Sequence, residues 1–332
     1  MRLVRITLAL PLLGVVIFAQ TQAPPAQIGP NLAAPTSVVD ARQLPKKLHI
    51  IAFGDIRFTD PGNSDASNAS VRDLIVKKIA DEKPDALLIS GDIPYSGSKD
   101  SDWRFYDQET APWRNAGLRI YPALGNHEYV GDHDRALRDW WKRFPDMKDK
   151  RWYSVQFANC YFIALDSNSD LASGSAQRKW LETQLNNISK TTDFVFLVLH
   201  HPSYTASSDH VFGGGHAARQ QEQRLAALLE GLQPKLTARL IEVAGHVHNY
   251  ERYEHAGVTY IVSGGGGAKP YLFQRSPQDK YQGTGITYHY VDFSIEPGKL
   301  SAKMMKWEDP QWKERDSFKL TTTNAVVPLP VK

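Results

Sequence analysis

From Lys47 onward the chain alternates between short apolar runs and longer stretches whose apolar residues recur every three or four positions. KLHIIAFGDI, DALLISGDI, LRIYPALGN, DFVFLVLHH and RLIEVAGHVH have few polar interruptions, the pattern of strands covered on both faces. Between them, SNASVRDLIVKKIADEKP, SDWRFYDQETAPWR, DHDRALRDWWKRF, SAQRKWLETQLNNI and AARQQEQRLAALLEGL read as helices. The first has a Ser/Asn start and a proline stop. Trp140 and Trp141 are expected to pack rather than to bind. WYSVQFA and CYFIALDSN predict a strand pair, VTYIVSGGGGA a further strand, and TYHYVDFSIEPGKLSAKMMKW a hairpin turning at Pro297, Gly298 and Lys299. The alternation predicts an α/β core with an antiparallel component near its end, over residues 47–320. Residues 321–332 read as a loose tail.

The N-terminus departs from this pattern. MRLVRITLALPLLGVVIFAQTQA has Arg2 and Arg5, an apolar run from Ile6 to Phe18, then small and polar residues. That reads as a signal peptide over 1–23, too short and wrongly flanked for a confident membrane span, the alternative being a retained N-terminal anchor; it predicts a secreted or periplasmic protein with no stable anchor after cleavage. Residues 24–46, rich in Pro, Ala and Gln, read as a linker. The lone Cys160 excludes an internal disulfide and is expected in the core. Of 332 residues, 42% are hydrophobic and the formal net charge is +3, so nothing in the balance argues for nucleic acid.

Chemistry collects where the apolar runs stop. They end at Asp55, at Asp92 and Tyr95, at Asn126, His127 and Glu128, at His200 and His201, and at His246 and His248. In α/β sheets the carboxyl ends of strands border the ligand crevice, so these five loops are expected to meet in a shared metal site. The glycines of GD, GD, GN and GH are expected to let the backbone turn sharply. The run Gly264 to Gly267 lacks the ending of a phosphate loop and reads as a tight turn near the site.

The ordered set GD, GDIPY, GNHE, VLHHP and GHVHNYER resembles the calcineurin-like metallophosphoesterases, and within them the purple acid phosphatases. The resemblance implies two mixed β-sheets packed as a sandwich flanked by helices, in one catalytic domain. It implies two metal ions: Fe(III) held by Asp55, Asp92, Tyr95 and His248, and a divalent Fe, Zn or Mn held by Asp92, Asn126, His200 and His246. It further implies that hydroxide on the metals attacks a phosphate monoester in line, with His127 stabilising charge or protonating the leaving group. His210 corresponds loosely to substrate-facing histidines, and His216 more loosely still.

Arg57 departs from the pattern. Most relatives have a ligating histidine there and the purple acid phosphatases a glycine, whereas guanidinium has no lone pair to give. Two readings are open: a side chain lying along the surface, or a forked donor to the substrate phosphate. Glu128 and His201 are candidates for support of the ligands; His49, His133, His255 and His289 are read as structural. A small phosphate ester is the expected partner. The alternatives are a phosphodiesterase using the same two-metal clamp and a catalytically silent metal- or phosphate-binding module.

Overall fold

The computed structural model describes residues 32–208, 216–272 and 274–322. Its elements run β1 (Ser37–Val39), β2 (Leu48–Phe53), α1 (Ala69–Glu82), β3 (Ala86–Ile89), α2 (Asp100–Glu109), α3 (Ala111–Asn115), β4 (Ile120–Pro122) and α4 (His133–Arg143). There follow β5 (Tyr153–Phe157), β6 (Cys160–Ala164), α5 (Ala176–Asn186), β7 (Phe194–Val198), α6 (Gln220–Leu232) and β8 (Arg239–Ala244). The chain continues through β9 (Tyr250–His255), β10 (Val258–Ser263), β11 (His289–Glu296), β12 (Lys299–Glu308) and β13 (Gln311–Thr321).

Two mixed sheets result, ordered β1-β5-β6-β7-β8-β10-β9 and β13-β12-β11-β2-β3-β4. In the first, β6, β7, β8 and β10 run parallel; in the second, β2, β3 and β4 do. Phe53, Phe162, Phe196 and Phe293 belong to one buried cluster shared by both sheets, together with Val71, Ile75 and Ile79 of α1. A second cluster joins Ile163, Val195 and Leu240 to Leu181 of α5 and Leu225 and Leu229 of α6. The expected sandwich flanked by helices is therefore present. Burying apolar area at about 25 cal/mol per Å² drives this layering.

Local sequence accounts for most boundaries. Asn68 caps α1 by accepting from the Val71 N–H at 3.2 Å, and Lys83, left-handed at φ 49°, ends it before Pro84. The helix expected over SDWRFYDQETAPWR is two helices broken at Thr110. Pro112 explains the break, because it cannot donate and its ring crowds the preceding turn. Trp140 and Cys160 are fully buried, as expected.

Two expectations are corrected. Residues 24–46 are not linker throughout: β1 pairs in parallel with β5, and the Thr36 N–H donates to Ser154 Oγ at 3.2 Å. The C-terminal part of the domain also carries β13, hydrogen-bonded along β12 as far as Thr321 opposite Lys299, so regular structure reaches the first residue assigned to the tail. The signal region 1–23 and residues 323–332 lie outside the described residues.

Candidate metal centre

The site lies where the carboxyl ends of the two sheets meet. Asp55, Asp92 and Asn126 follow β2, β3 and β4 of one sheet; His200, His246 and His248 follow β7 and β8 of the other. The loops are stitched together through the backbone, with the Asp55 N–H on the Gly91 carbonyl at 3.0 Å and the Gly245 N–H on the His200 carbonyl at 2.9 Å. Across the sheets, the His246 N–H donates to Asp55 Oδ2 at 2.9 Å.

Close approach, more than a sharp turn, is what the motif glycines supply. A Cβ on Gly125 would meet Asp92, and one on Gly245 would meet Asp55 Oδ2 and Ser90. Of the motif glycines Gly91 alone has a positive φ, 92°; the left-handed conformation falls also on Asp55, Arg57, Asp92 and His246, at φ 58°, 56°, 55° and 68°. The glycine run after β10 behaves as expected: side chains at Gly264 and Gly265 would strike Asp55 and His289.

His200 donates through Nδ1 to the Ser90 carbonyl at 2.9 Å, which turns the lone pair of Nε2 into the site. That nitrogen lies 2.8 Å from Asn126 Oδ1, 3.3 Å from Asp92 Oδ1 and 3.3 Å from His246 Nδ1. His248 is held likewise, Nδ1 on the Lys269 carbonyl at 2.7 Å and Nε2 facing Asp55 Oδ1 at 3.5 Å. Asp55 Oδ1 and His248 Nε2 are buried and take no hydrogen bond. Acceptors gathered face to face without donors between them repel unless a cation joins them, and carboxylate, amide and imidazole suit a hard or borderline ion. The residues present therefore suit metal binding, and Asp92 lies beside both groups.

Electrostatics agree with that fit. Burial, with His200 next, keeps His246 well below the usual imidazole range, and burial with Arg57 pushes His248 down to about 3. Neutral rings retain the lone pair that a metal needs. Burial pushes the Asp55 carboxyl up to about 7. Burial acts in the same sense on Asp92, but His200, His127 and Arg57 outweigh it and hold Asp92 well below the carboxylate range.

The rim is more open than the floor. Arg57 and His127 side chains are 13% and 15% exposed, whereas Asp92 is fully buried. Arg57 does not lie along the surface: Nε and Nη2 reach Asp92 Oδ2 at 3.3 and 3.2 Å. His127 binds the Tyr95 carbonyl through Nδ1 at 2.6 Å and brings Nε2 to 3.9 Å from the same Asp92 oxygen. The Tyr95 ring packs on His127 at 5.3 Å. Glu128 is a buried clamp whose carboxylate accepts from the N–H groups of Asp92, Ile93 and Gly125 at 3.0, 2.7 and 2.6 Å. Burial and the charge on Asp92 push its carboxyl up, and those donors pull against them.

His201 packs its ring 4.3 Å from that of His246 while its Nδ1 meets Ser167 Oγ at 2.8 Å. His216 reaches the site, with Nδ1 3.3 Å from His246 Nε2; His210 lies outside the described residues. His49, His133, His255 and His289 contact Asp292, Tyr129, Tyr204 and Ser263 respectively, apart from the ligand set. Sequence reasoning missed Tyr271, which stacks on His248 at 4.2 Å and 13° and on His216 at 4.6 Å and 30°. Its only sequence signal is its place four residues beyond the glycine run. Among the described residues no helix is long and apolar enough to cross a membrane.

Comparison with known proteins agrees with the ordered motifs. Residues 48–250, more than half of the chain, match the family of calcineurin-like phosphoesterases. The probable purple acid phosphatase 20 of Arabidopsis thaliana is 27% identical over 241 residues, 68% of this chain and 48% of that protein. A nucleotide pyrophosphatase/phosphodiesterase of Hordeum vulgare is 24% identical over 273 residues, 66% of this chain and 68% of that one. The chain thus spans about half the length of the purple acid phosphatases it matches. In three dimensions, a purple acid phosphatase from yellow lupin seeds superposes with a TM-score of 0.66 at 20% identity, over 83% of this chain and 54% of that one, which establishes the shared fold. By its matched residues and its fold, the chain belongs to the calcineurin-like phosphoesterase family.

Proposed function

We propose that the protein is an exported two-metal hydrolase of phosphate monoesters. The observation that carries this reading is the convergence of His200 Nε2, Asn126 Oδ1, Asp92 Oδ1 and His246 Nδ1, beside the unpartnered Asp55 Oδ1 and His248 Nε2. Asp55, Asp92, Tyr95 and His248 would hold the first ion, with the Tyr95 phenolate favouring Fe(III); Asp92, Asn126, His200 and His246 would hold a divalent second. When bound, such a pair polarises the phosphoryl group and lowers the pKa of a water that serves as nucleophile.

The chain's own groups supply the rest. As imidazolium, His127 keeps one proton on the Tyr95 carbonyl and offers the other from Nε2 at the mouth, placed to protonate a leaving alkoxide or phenoxide. Glu128 fixes the backbone of both Asp92 and Gly125, which holds the Asp92 carboxylate in register with Asn126. Export rests on the charged and apolar pattern of residues 1–23. Similarity to the barley phosphodiesterase supports the second reading, a diesterase built on the same centre.

The test is to load purified protein with iron plus zinc or manganese, measure metal content, and compare turnover of aryl phosphate mono- and diesters. Faster monoester turnover is expected. Diester preference would install the second reading, and hydrolysis of neither by dimetal protein would leave a binding module.

A further inference from the structure

We propose that Arg57 is a phosphoryl-oxygen clamp that selects monoesters over diesters; this deepens the hydrolase reading and rests on it. The site is layered, with Asp55, Asp92, His200 and His248 side chains at 0 to 1% exposure on the floor and Arg57 and His127 above them at 13 and 15%. Both rim groups flank one atom, Asp92 Oδ2, at 3.2 and 3.9 Å. An anion seated over the carboxylate floor meets those two side chains first.

Arg57 is built into place rather than draped there. Its N–H donates to the Asp92 carbonyl at 3.0 Å, and its own carbonyl accepts from Ser67 Oγ at 3.0 Å and Arg72 Nη1 at 3.2 Å. The left-handed φ of 56° is fixed by those bonds. Nε and Nη2 are engaged by Asp92. A planar guanidinium has five N–H donors, so the fork retains capacity for a further oxygen.

The chemistry of the two ester classes makes this selective. A monoester dianion carries three non-bridging oxygens, so one remains for Arg57 when others face the metals. A diester has two such oxygens and a single charge, and its second ester group stands where the clamp expects an acceptor. Charge-assisted bonding to a phosphoryl oxygen therefore rewards the monoester alone.

The test uses Arg57→Gly, which suits a positive φ, and Arg57→Lys, which keeps a charge but not the planar fork. With metal content matched to wild type, Arg57→Gly should lower kcat/KM for an aryl monoester about 30-fold and for the diester by less than about threefold. Inorganic phosphate, titrated calorimetrically, should bind about tenfold more weakly. Arg57→Lys should restore phosphate binding only in part. Equal losses on both esters, unchanged phosphate affinity, or loss of the metals from Arg57→Gly would overturn the clamp. Wild-type dimetal protein inert toward both esters would instead overturn the hydrolase reading, while phosphate titration of the variants would still judge Arg57.

Discussion

Glu128 offers the sharpest test of how the fold holds the site. Oε2 accepts two N–H groups, from Asp92 and Gly125, and Oε1 accepts the third, from Ile93. Each donor faces the carboxylate, so neither oxygen has a neighbour to which a proton could be given. In Glu128→Gln an amide oxygen at the Oε2 position keeps two bonds, but the NH2 group then confronts the Ile93 N–H. One charge-assisted bond is lost and two become neutral, a cost of about 2–3 kcal/mol. Glu128→Ala leaves three buried N–H groups at about 1–3 kcal/mol each, and water entering the vacated space recovers some of that, so about 4 kcal/mol is expected. Against a typical stability of about 5–15 kcal/mol both variants should still fold. Urea unfolding of chelator-treated protein removes the contribution of bound metal and reads the difference directly. Loss of less than about 1 kcal/mol in Glu128→Ala, or a Gln variant as unstable as the Ala one, would refute the clamp.

Three further outcomes follow from the same geometry. His127→Ala should retain both metals and lose about 10²–10⁴ in kcat, read by metal analysis and steady-state kinetics; wild-type turnover would remove His127 from proton transfer. Iron-loaded protein should show a broad visible charge-transfer band that disappears in Tyr95→Phe, and a band that survives the substitution would take Tyr95 out of the ligand set. His49 Nε2 lies 3.1 Å from Asp292 Oδ2, and Asp292, with Glu82 and Asp85 nearby, raises its pKa after burial is offset. A histidine raised on folding stabilises below its unfolded pKa of about 6.5 and loses that contribution as pH climbs through the folded value. The partners are 31 and 24% exposed, so Asp292→Asn should cost only about 0.5 kcal/mol at pH 5.5 and nothing at pH 9; equal losses at both pH values in thermal unfolding would contradict the pairing.

The candidate donors were legible because they stand within a few residues of the ends of apolar runs, where strand ends must lie. The parallel strands were legible for the same reason: buried on both faces, they read as continuous apolar runs. Strands β9 and β13 were not, since YERYEH and QWKERDSFKLT carry charge along their length. In β9 the buried Glu251 is satisfied by Thr205, Ala206 and Tyr253, and Arg252 by Asp316, partners that no local pattern reveals. In β13 the alternation reflects an edge strand, whose outward side chains are charged. Tyr271 was invisible for a related reason, because its contact with His248 is made by the course of the glycine run rather than by spacing.

The motif glycines carry the more general lesson. In sequence they look like turn residues, yet at Gly125 and Gly245 their role is to leave no atom where Asp92 and Asp55 must pass. The strained conformation is carried by candidate site residues themselves, four of them left-handed, at a cost of about 1–2 kcal/mol each. Such strain persists only where neighbours over-determine it. Here they do: Asp55 is held through its N–H by Gly91, and its Oδ2 is held by the His246 N–H from the opposite sheet. Asp55 is thereby both a candidate ligand and the joint between two sheets. Replacing it removes an anion from the floor and unfastens the loop that presents His246 and His248, so its loss should weaken metal binding more than the removal of one ligand accounts for.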